Sequence, residues 1–237
     1  QEWFYLIFYS NKHISMKVQK FGGTSVGSVK AIQQVFEIVQ KQSKENKLVV
    51  VVSAMGGTTD VLINAGNYAA HGDETYKDLI KQIETRHLDT VKELVPVQTQ
   101  SSALSLVKKL CNEIEDLCNG IFLLGELSAR TKDKLVSYGE LMSSQMMAAS
   151  FNAHGVVTAW KDSREIIKTN SNFTNAQVDF TATNKNIQDY LAANNASVVL
   201  LPGFIASDAN NVNTTLGRGG SDYTAAIVAA AVNAASV

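Results

Sequence analysis

The run Leu48-Val49-Val50-Val51-Val52 limits what this chain can become more than any other segment. Its side chains leave no polar face for water. Such a strand belongs inside a sheet covered on both sides, which is the habit of parallel sheets. It stops at Ser53-Ala54-Met55-Gly56-Gly57, a loop of small residues. An earlier segment, Lys17 to Phe21, reads as a short buried strand and runs into Gly22-Gly23 in the same way. Ser28 then caps a helix whose apolar positions Val29, Ile32, Val35, Phe36 and Val39 follow helical spacing. Strand, loop, helix, strand, loop predicts a three-layer α/β/α sandwich with a mainly parallel sheet.

Beyond this frame, Glu74 to Asn119 reads as helical and charged, an outer layer or lid. A long helix runs through Leu135, Met142, Met146 and Ala149. Strands are expected at Val156 to Trp160 and at Val198 to Leu201. The second leads into Pro202-Gly203 and a long polar loop. That loop ends in Gly217-Arg218-Gly219-Gly220-Ser221-Asp222, followed by an Ala-rich apolar helix.

The chain has 237 residues, 45% hydrophobic and 18% charged, with a formal net charge of -1. That suits one large domain and excludes a disordered or fibrous chain. A near-neutral balance argues against a nucleic-acid platform. Mixed runs at Lys44 to Lys47 and Arg130 to Lys134 read as solvated helix ends. Cys111 and Cys118, seven residues apart on one helix, lie about 10 Å from each other. That is beyond disulfide reach and suggests a reducing, cytoplasmic setting. The apolar stretch Trp3 to Tyr9 is far short of the ~20 residues of a membrane span, so no membrane partner is expected. Met16 opens a clean strand pattern. Residues 1–15 are therefore expected to lie outside the fold, as a non-native start, with the domain covering 16–237.

The loops carry the chemistry. Glycine lets a backbone approach a ligand closely, and helix N-termini offer free N–H groups to anions. Gly22 to Gly27, Gly56-Gly57 and Gly217 to Gly220 all follow strands or open helices. Neither a Walker A pattern nor GxGxxG is present, which disfavours the two common nucleotide folds. His13, His71, His87 and His154 are isolated, and no protein metal site is expected. Lys20, two residues before Gly22, is either an edge-strand side chain reaching solvent or a cation aimed at a phosphate. Glu140 is the last charge before an uncharged stretch from Leu141 to Trp160. It reads either as an exposed helix residue or as a buried carboxylate wanting a cationic partner. Arg218 and Asp222 flank the third glycine pair. They are plain loop residues or charges set at a buried helix N-terminus. Tyr223 to Val237 carries no charge and reads as a helix buried on all sides.

At these residues a family resemblance emerges. Lys20-Phe21-Gly22-Gly23-Thr24-Ser25-Val26 is similar to the opening signature of aspartate kinases. Ser53-Ala54-Met55-Gly56-Gly57-Thr58-Thr59 resembles their second loop. Tyr138-Gly139-Glu140-Leu141-Met142-Ser143 and Leu216 to Tyr223 resemble their substrate-binding segments. Tyr138 departs from the histidine found before Gly-Glu in many relatives. Asp162 and Arg164 also fit the family's character, without a defined role.

The resemblance implies an amino-acid kinase catalytic domain, incomplete at its C-terminus. The implied activity is transfer of the ATP γ-phosphoryl group to the side-chain carboxylate of L-aspartate, with ATP and Mg2+ required. Lys20 and Asp222 would be catalytic. Ser53, Thr59, Glu140, Arg218 and Ser221 would bind substrate. Lys20, Gly22, Gly23, Thr24, Gly219 and Gly220 would bind nucleotide. The product would enter lysine, threonine and methionine synthesis, and the full-length parent would be a homo-oligomer. In relatives much of the ATP-binding half lies beyond the equivalent of Val237. This chain alone is therefore expected to have little kinase activity. Two alternatives stand beside this: another amino-acid kinase, or a non-catalytic fragment that binds aspartate only.

Overall fold

A computed structural model describes residues 16–236. The expectation for residues 1–15 lies outside the described residues. The chain runs β1 Met16–Phe21, α1 Val29–Gln42, β2 Lys47–Val52, α2 Thr58–Ala70, α3 Tyr76–Leu94, α4 Gln100–Leu124 and α5 Ala129–Ala153. It continues as β3 Thr158–Trp160, α6 Ser163–Ile166, β4 Lys168–Thr169, α7 Phe180–Ala193, β5 Val198–Pro202, β6 Ile205–Asp208, β7 Asn213–Thr215 and α8 Gly220–Ala231.

The main sheet has the order β1-β2-β5-β3, with every pairing parallel. β2 sits between β1 and β5, and all its apolar residues are fully buried. Alternation along the strand sends Val49 and Val51 into one core, with Ile187 of α7 and Val228 of α8. It sends Leu48, Val50 and Val52 into the other, with Ile32 of α1 and Met146 of α5. Each such side chain contributes about 1.5–3 kcal/mol of burial, an upper figure for a compact unfolded chain. The run needs two covering layers, and it has them.

The helix signals in the sequence are also realised. Ser28 Oγ accepts the Ala31 N–H at the start of α1, and Ile32, Val35 and Val39 face the sheet. Ser128 caps α5 by accepting the Thr131 N–H at 3.1 Å. The stretch read as an outer layer or lid forms α3 and α4, whose Ile83, Val91, Ile114 and Ile121 are buried in the larger core. They are an integral layer.

Some expectations are corrected. The long polar loop after β5 contains β6 and β7, which pair antiparallel, with β4 parallel to β6. Its turn closes because Asp208 Oδ1 accepts the N–H groups of Asn210 and Val212. Lys47 and Asp133, both placed in solvated runs, are anchored. The Lys47 ammonium donates to the Leu191 and Asn194 carbonyls at the end of α7, and Asp133 is 1% exposed. Helix α8 is not buried all round, because Tyr223, Ala226 and Ala230 form an exposed stripe. After it the chain returns to β1: Ala235 N–H donates to Met16 O and Val18 N–H to Ser236 O, both at 3.0 Å. Cys111 and Cys118 are free and buried. Among the described residues no helix is long and apolar enough to cross a membrane.

Candidate active site

Because β1, β2 and β5 are parallel neighbours, their carboxyl ends abut, and the loops leaving them open onto one edge of the sheet. A cleft of about 360 Å³ lies there. In open α/β sheets that edge is where ligands bind. Its lining includes Lys20, Gly23, Ser53, Thr59, Glu140, Arg218, Gly219, Gly220, Ser221 and Asp222. Four segments spread over two hundred residues of sequence thus meet at one place. Gly22 stands beside it, where an added Cβ would lie 3.2 Å from Lys20 Nζ. Thr24 is exposed and lines a neighbouring hollow with Ser25 and Gln34.

Lys20, at the end of β1, forms an ion pair with Asp222 on α8, Nζ to Oδ1 2.8 Å. The lysine side chain is 24% exposed and the aspartate 70%. The pair is therefore partly screened, and its value lies in direction more than in stability. It holds the ammonium in the cleft lining.

Two helices point their N-termini at this space. The N-cap of α2 is Gly57 (φ 84°) and that of α8 is Gly219 (φ 74°). Neither has a side-chain cap. A glycine N-cap leaves the first amides unclaimed, and those of Thr59, Asp60, Ser221 and Asp222 have no acceptor among the described residues. They are open anion donors of the helix N-terminal kind. The amide of Gly220 is already used, donating to Gly217 O at 3.0 Å.

Glu140 is the most constrained group. Gly139 brings α5 against the second loop so closely that a Cβ there would meet the Ala54 Cβ at 2.9 Å. This packs Glu140 at 4% exposure under the cleft. Its Oε1 accepts the Ala54 N–H at 3.2 Å, while Oε2 is buried without a partner. Burial pushes the carboxyl up to about 8, with the Ala54 bond pulling the other way. The cationic partner expected from the sequence is not supplied by the described residues. Arg218 likewise has no hydrogen bond or ion pair among the described residues, and it is exposed. One cleft thus holds a buried acceptor without a partner and an exposed guanidinium, which together can accept a donor group and an anionic group.

Further residues hold this arrangement together. From α3, Arg86 donates to Gly56 O at 2.7 Å and Gly27 O at 2.8 Å, tying the first two glycine loops to each other. Ser143 Oγ donates to Ser53 O at 2.6 Å, fixing the second loop on α5. Ser221 packs on Gly203, where an added Cβ would lie 2.7 Å from its Oγ. Tyr138 is buried, and its hydroxyl donates to Glu113. Arg164 is spent on Asp162, with Nη2 to Oδ2 at 2.6 Å. Arg86 and Ser143 escaped the sequence reading, since each is an ordinary helix residue whose partner is a backbone carbonyl distant in sequence. Among the described residues no group of three or more His, Cys, Asp or Glu could hold a metal ion.

The chain is similar to known proteins over most of its length. Residues 15–237 match the model of the amino acid kinase family. The chain is 34% identical over 221 residues to the chloroplastic bifunctional aspartokinase/homoserine dehydrogenase 2 of Zea mays, covering 93% of this chain and 24% of that protein. Among solved structures, E. coli aspartokinase III in complex with lysine and aspartate superposes with a TM-score of 0.83 at 31% identity. The same enzyme with aspartate and ADP gives 0.82 at 31% identity. In both, the match covers 92% of this chain and 47% of the other. The chain thus spans between a quarter and a half of the length of these relatives.

Proposed function

This chain belongs to the amino acid kinase family, and we propose that it supplies the aspartate side of an aspartate kinase. That enzyme transfers the ATP γ-phosphoryl group to the side-chain carboxylate of L-aspartate, giving 4-phospho-L-aspartate. The observation that carries the reading is the buried, unpartnered Oε2 of Glu140 in a cleft that also holds Arg218 and Lys20. A free α-amino acid presents an ammonium and a carboxylate side by side. Glu140 takes the ammonium, and Arg218 takes the α-carboxylate through its two-pronged guanidinium. Ser53 and Thr59 hydrogen-bond the remainder of the substrate, and Ser221 donates at the start of α8. That E. coli aspartokinase III, a structure similar to this chain, forms complexes with aspartate and with aspartate and ADP supports aspartate and a nucleotide as the ligand classes.

The attacking carboxylate is ionised at neutral pH, so no general base is required. What phosphoryl transfer asks of the protein is position and charge stabilisation. Lys20, held by Asp222, neutralises charge on the transferring group. The amides of Gly22, Gly23 and Gly219, with the open N–H groups of α8, receive phosphate oxygens. Mg2+ favours few carboxylates together with substrate phosphates. Asp222 and Asp60 in the cleft lining fit that donor set. When bound with the nucleotide, the ion would offset phosphate charge. In the same reading, residues 16–237 form part of the catalytic domain. The protein is a cytoplasmic homo-oligomer, and its product feeds lysine, threonine and methionine synthesis.

The test is to supply the whole protein with ATP and each candidate acceptor, trapping the acyl phosphate with hydroxylamine. Hydroxamate from aspartate, and not from glutamate or N-acetylglutamate, is expected. Preference for either of the others would overturn the assignment.

A further inference from the structure

The two arms of the clamp come from different parts of the chain. Glu140 sits on α5, and Arg218 follows β7 in a glycine-rich loop. Something must fix the distance between them. One turn-pair before Glu140, about 10 Å back along the same helix face, lies Asp133. It is buried at 1% exposure and has no cationic partner among the described residues. Its carboxylate is filled instead by three donors. Oδ2 accepts the N–H groups of Thr174 at 2.8 Å and Thr215 at 3.0 Å, and Oδ1 accepts the Thr215 hydroxyl at 2.8 Å.

Those donors lead directly to Arg218. Thr215 is the last residue of β7, three before the arginine. Ala176 N–H donates to Thr215 O at 2.9 Å, so the 174–176 segment and the end of β7 are pinned as one unit. Gly217 (φ 74°) then rests against that segment: a Cβ there would lie 2.7 Å from Asn175 Oδ1 and 3.4 Å from Thr174 O. Thr174 itself has φ 70°, a left-handed conformation that a β-branched residue adopts only when its surroundings impose it. The Asp133 carboxylate supplies that constraint. A buried carboxylate satisfied wholly by directed donors fixes geometry more tightly than an ion pair with a long flexible side chain. Burial outweighs the bonds from Thr174 and Thr215 and holds the Asp133 carboxyl above its ordinary range.

We propose that Asp133 is a positioning residue: through Thr215 and Thr174 it sets the Arg218 arm of the clamp at a fixed distance from Glu140, carried on the same helix. This rests on the aspartate reading above. It assigns α5 a double task, presenting the ammonium acceptor at one point and registering the carboxylate donor from another.

The experiment measures aspartate affinity by titration calorimetry for the wild type, Asp133→Ala and Asp133→Asn. Each is measured alone and in an Arg218→Lys background, which keeps the charge but loses the bidentate grip. Asp133→Ala is expected to weaken aspartate binding by about tenfold or more, since small misplacements at a site are felt strongly. Asp133→Asn should restore most of it. Its carbonyl can take both N–H groups, and its amide can donate to the Thr215 hydroxyl oxygen. In the Arg218→Lys background the further loss from Asp133→Ala should shrink to under about twofold, because the two residues act as one unit. Equal losses in both backgrounds would mean that Asp133 acts through general stability, and the proposal would be wrong. Wild-type affinity in Asp133→Ala would also overturn it. If a thermal melt shows that Asp133→Ala does not fold, Thr215→Val, which removes only the hydroxyl contact, carries the same comparison. An unchanged affinity there overturns the proposal. A wild type that fails to bind aspartate at all would instead remove the aspartate reading, and this proposal with it.

Discussion

Glu140→Gln should make this protein more stable while stripping it of aspartate affinity. Glu140 is 4% exposed, and burial pushes its carboxyl from an ordinary 4.5 up to about 8. In the native state it therefore keeps a proton that the unfolded chain has released above pH 4.5. The sign follows: the native state binds more protons than the unfolded state, so this group's contribution falls as pH rises from about 4.5. It levels off above about 8. At 1.36 kcal/mol per pH unit, the wild type loses about 3 kcal/mol from this group between pH 5 and pH 8. Glutamine has no proton to lose and keeps an acceptor for the Ala54 N–H. At pH 5 the two proteins should have similar stability, since each buries a neutral polar end without a partner. At pH 8 the variant should lead by about 3 kcal/mol. Denaturant unfolding followed by circular dichroism at both pH values gives the difference directly, and calorimetry with aspartate gives the loss of binding. A gap that does not widen with pH, or a variant that is less stable at pH 8, would refute the assignment of a strained carboxylate at this position.

Lys20→Ala should lower turnover by roughly three orders of magnitude or more, as expected when charge on a transferring group is left uncompensated. Its effect on aspartate KM should be far smaller, and steady-state kinetics of the whole protein separate the two. Arg86→Ala removes the donors to Gly56 O and Gly27 O and should destabilise by about 1–2 kcal/mol. Hydrogen exchange should accelerate first in the Gly22–Gly27 and Gly56–Thr58 loops, and protection unchanged there would exclude the bridging role.

Much of this site is readable in the sequence, because local signals agree with the global fold. Leu48–Val52 requires a covered parallel strand, and the small-residue loops after β1 and β2 need no tertiary information to be noticed. The uncharged stretch that begins after Glu140 points toward burial, and the structure decides it against an exposed position. What is hidden depends on contacts between distant residues. Asp133 sits in the charged run Arg130 to Lys134, and nothing local separates it from its solvated neighbours. Its role exists only because Thr174 and Thr215 arrive from elsewhere. Arg86 looks like any helix arginine until two glycine carbonyls meet it. The β6–β7 hairpin is built from short segments, Ile205–Asp208 and Asn213–Thr215, too brief for their alternation to stand out from a polar loop. The exposed stripe of α8 escapes notice because alanine suits either environment. Only the packing decides which side Ala226 and Ala230 face.

The central claim is that Glu140 and Arg218 form a clamp for a zwitterionic head, and the most direct measurement compares aspartate with succinate. Succinate keeps both carboxylates and lacks the α-ammonium. Titration calorimetry of each ligand at pH 8 reads the contribution of Glu140 without depending on the phosphoryl-transfer step. The expected result is that succinate binds more weakly by about 1–3 kcal/mol or more, since it offers no N–H donor to Glu140, whose buried Oε2 is left without a partner. Equal affinities for the two ligands would contradict the claim.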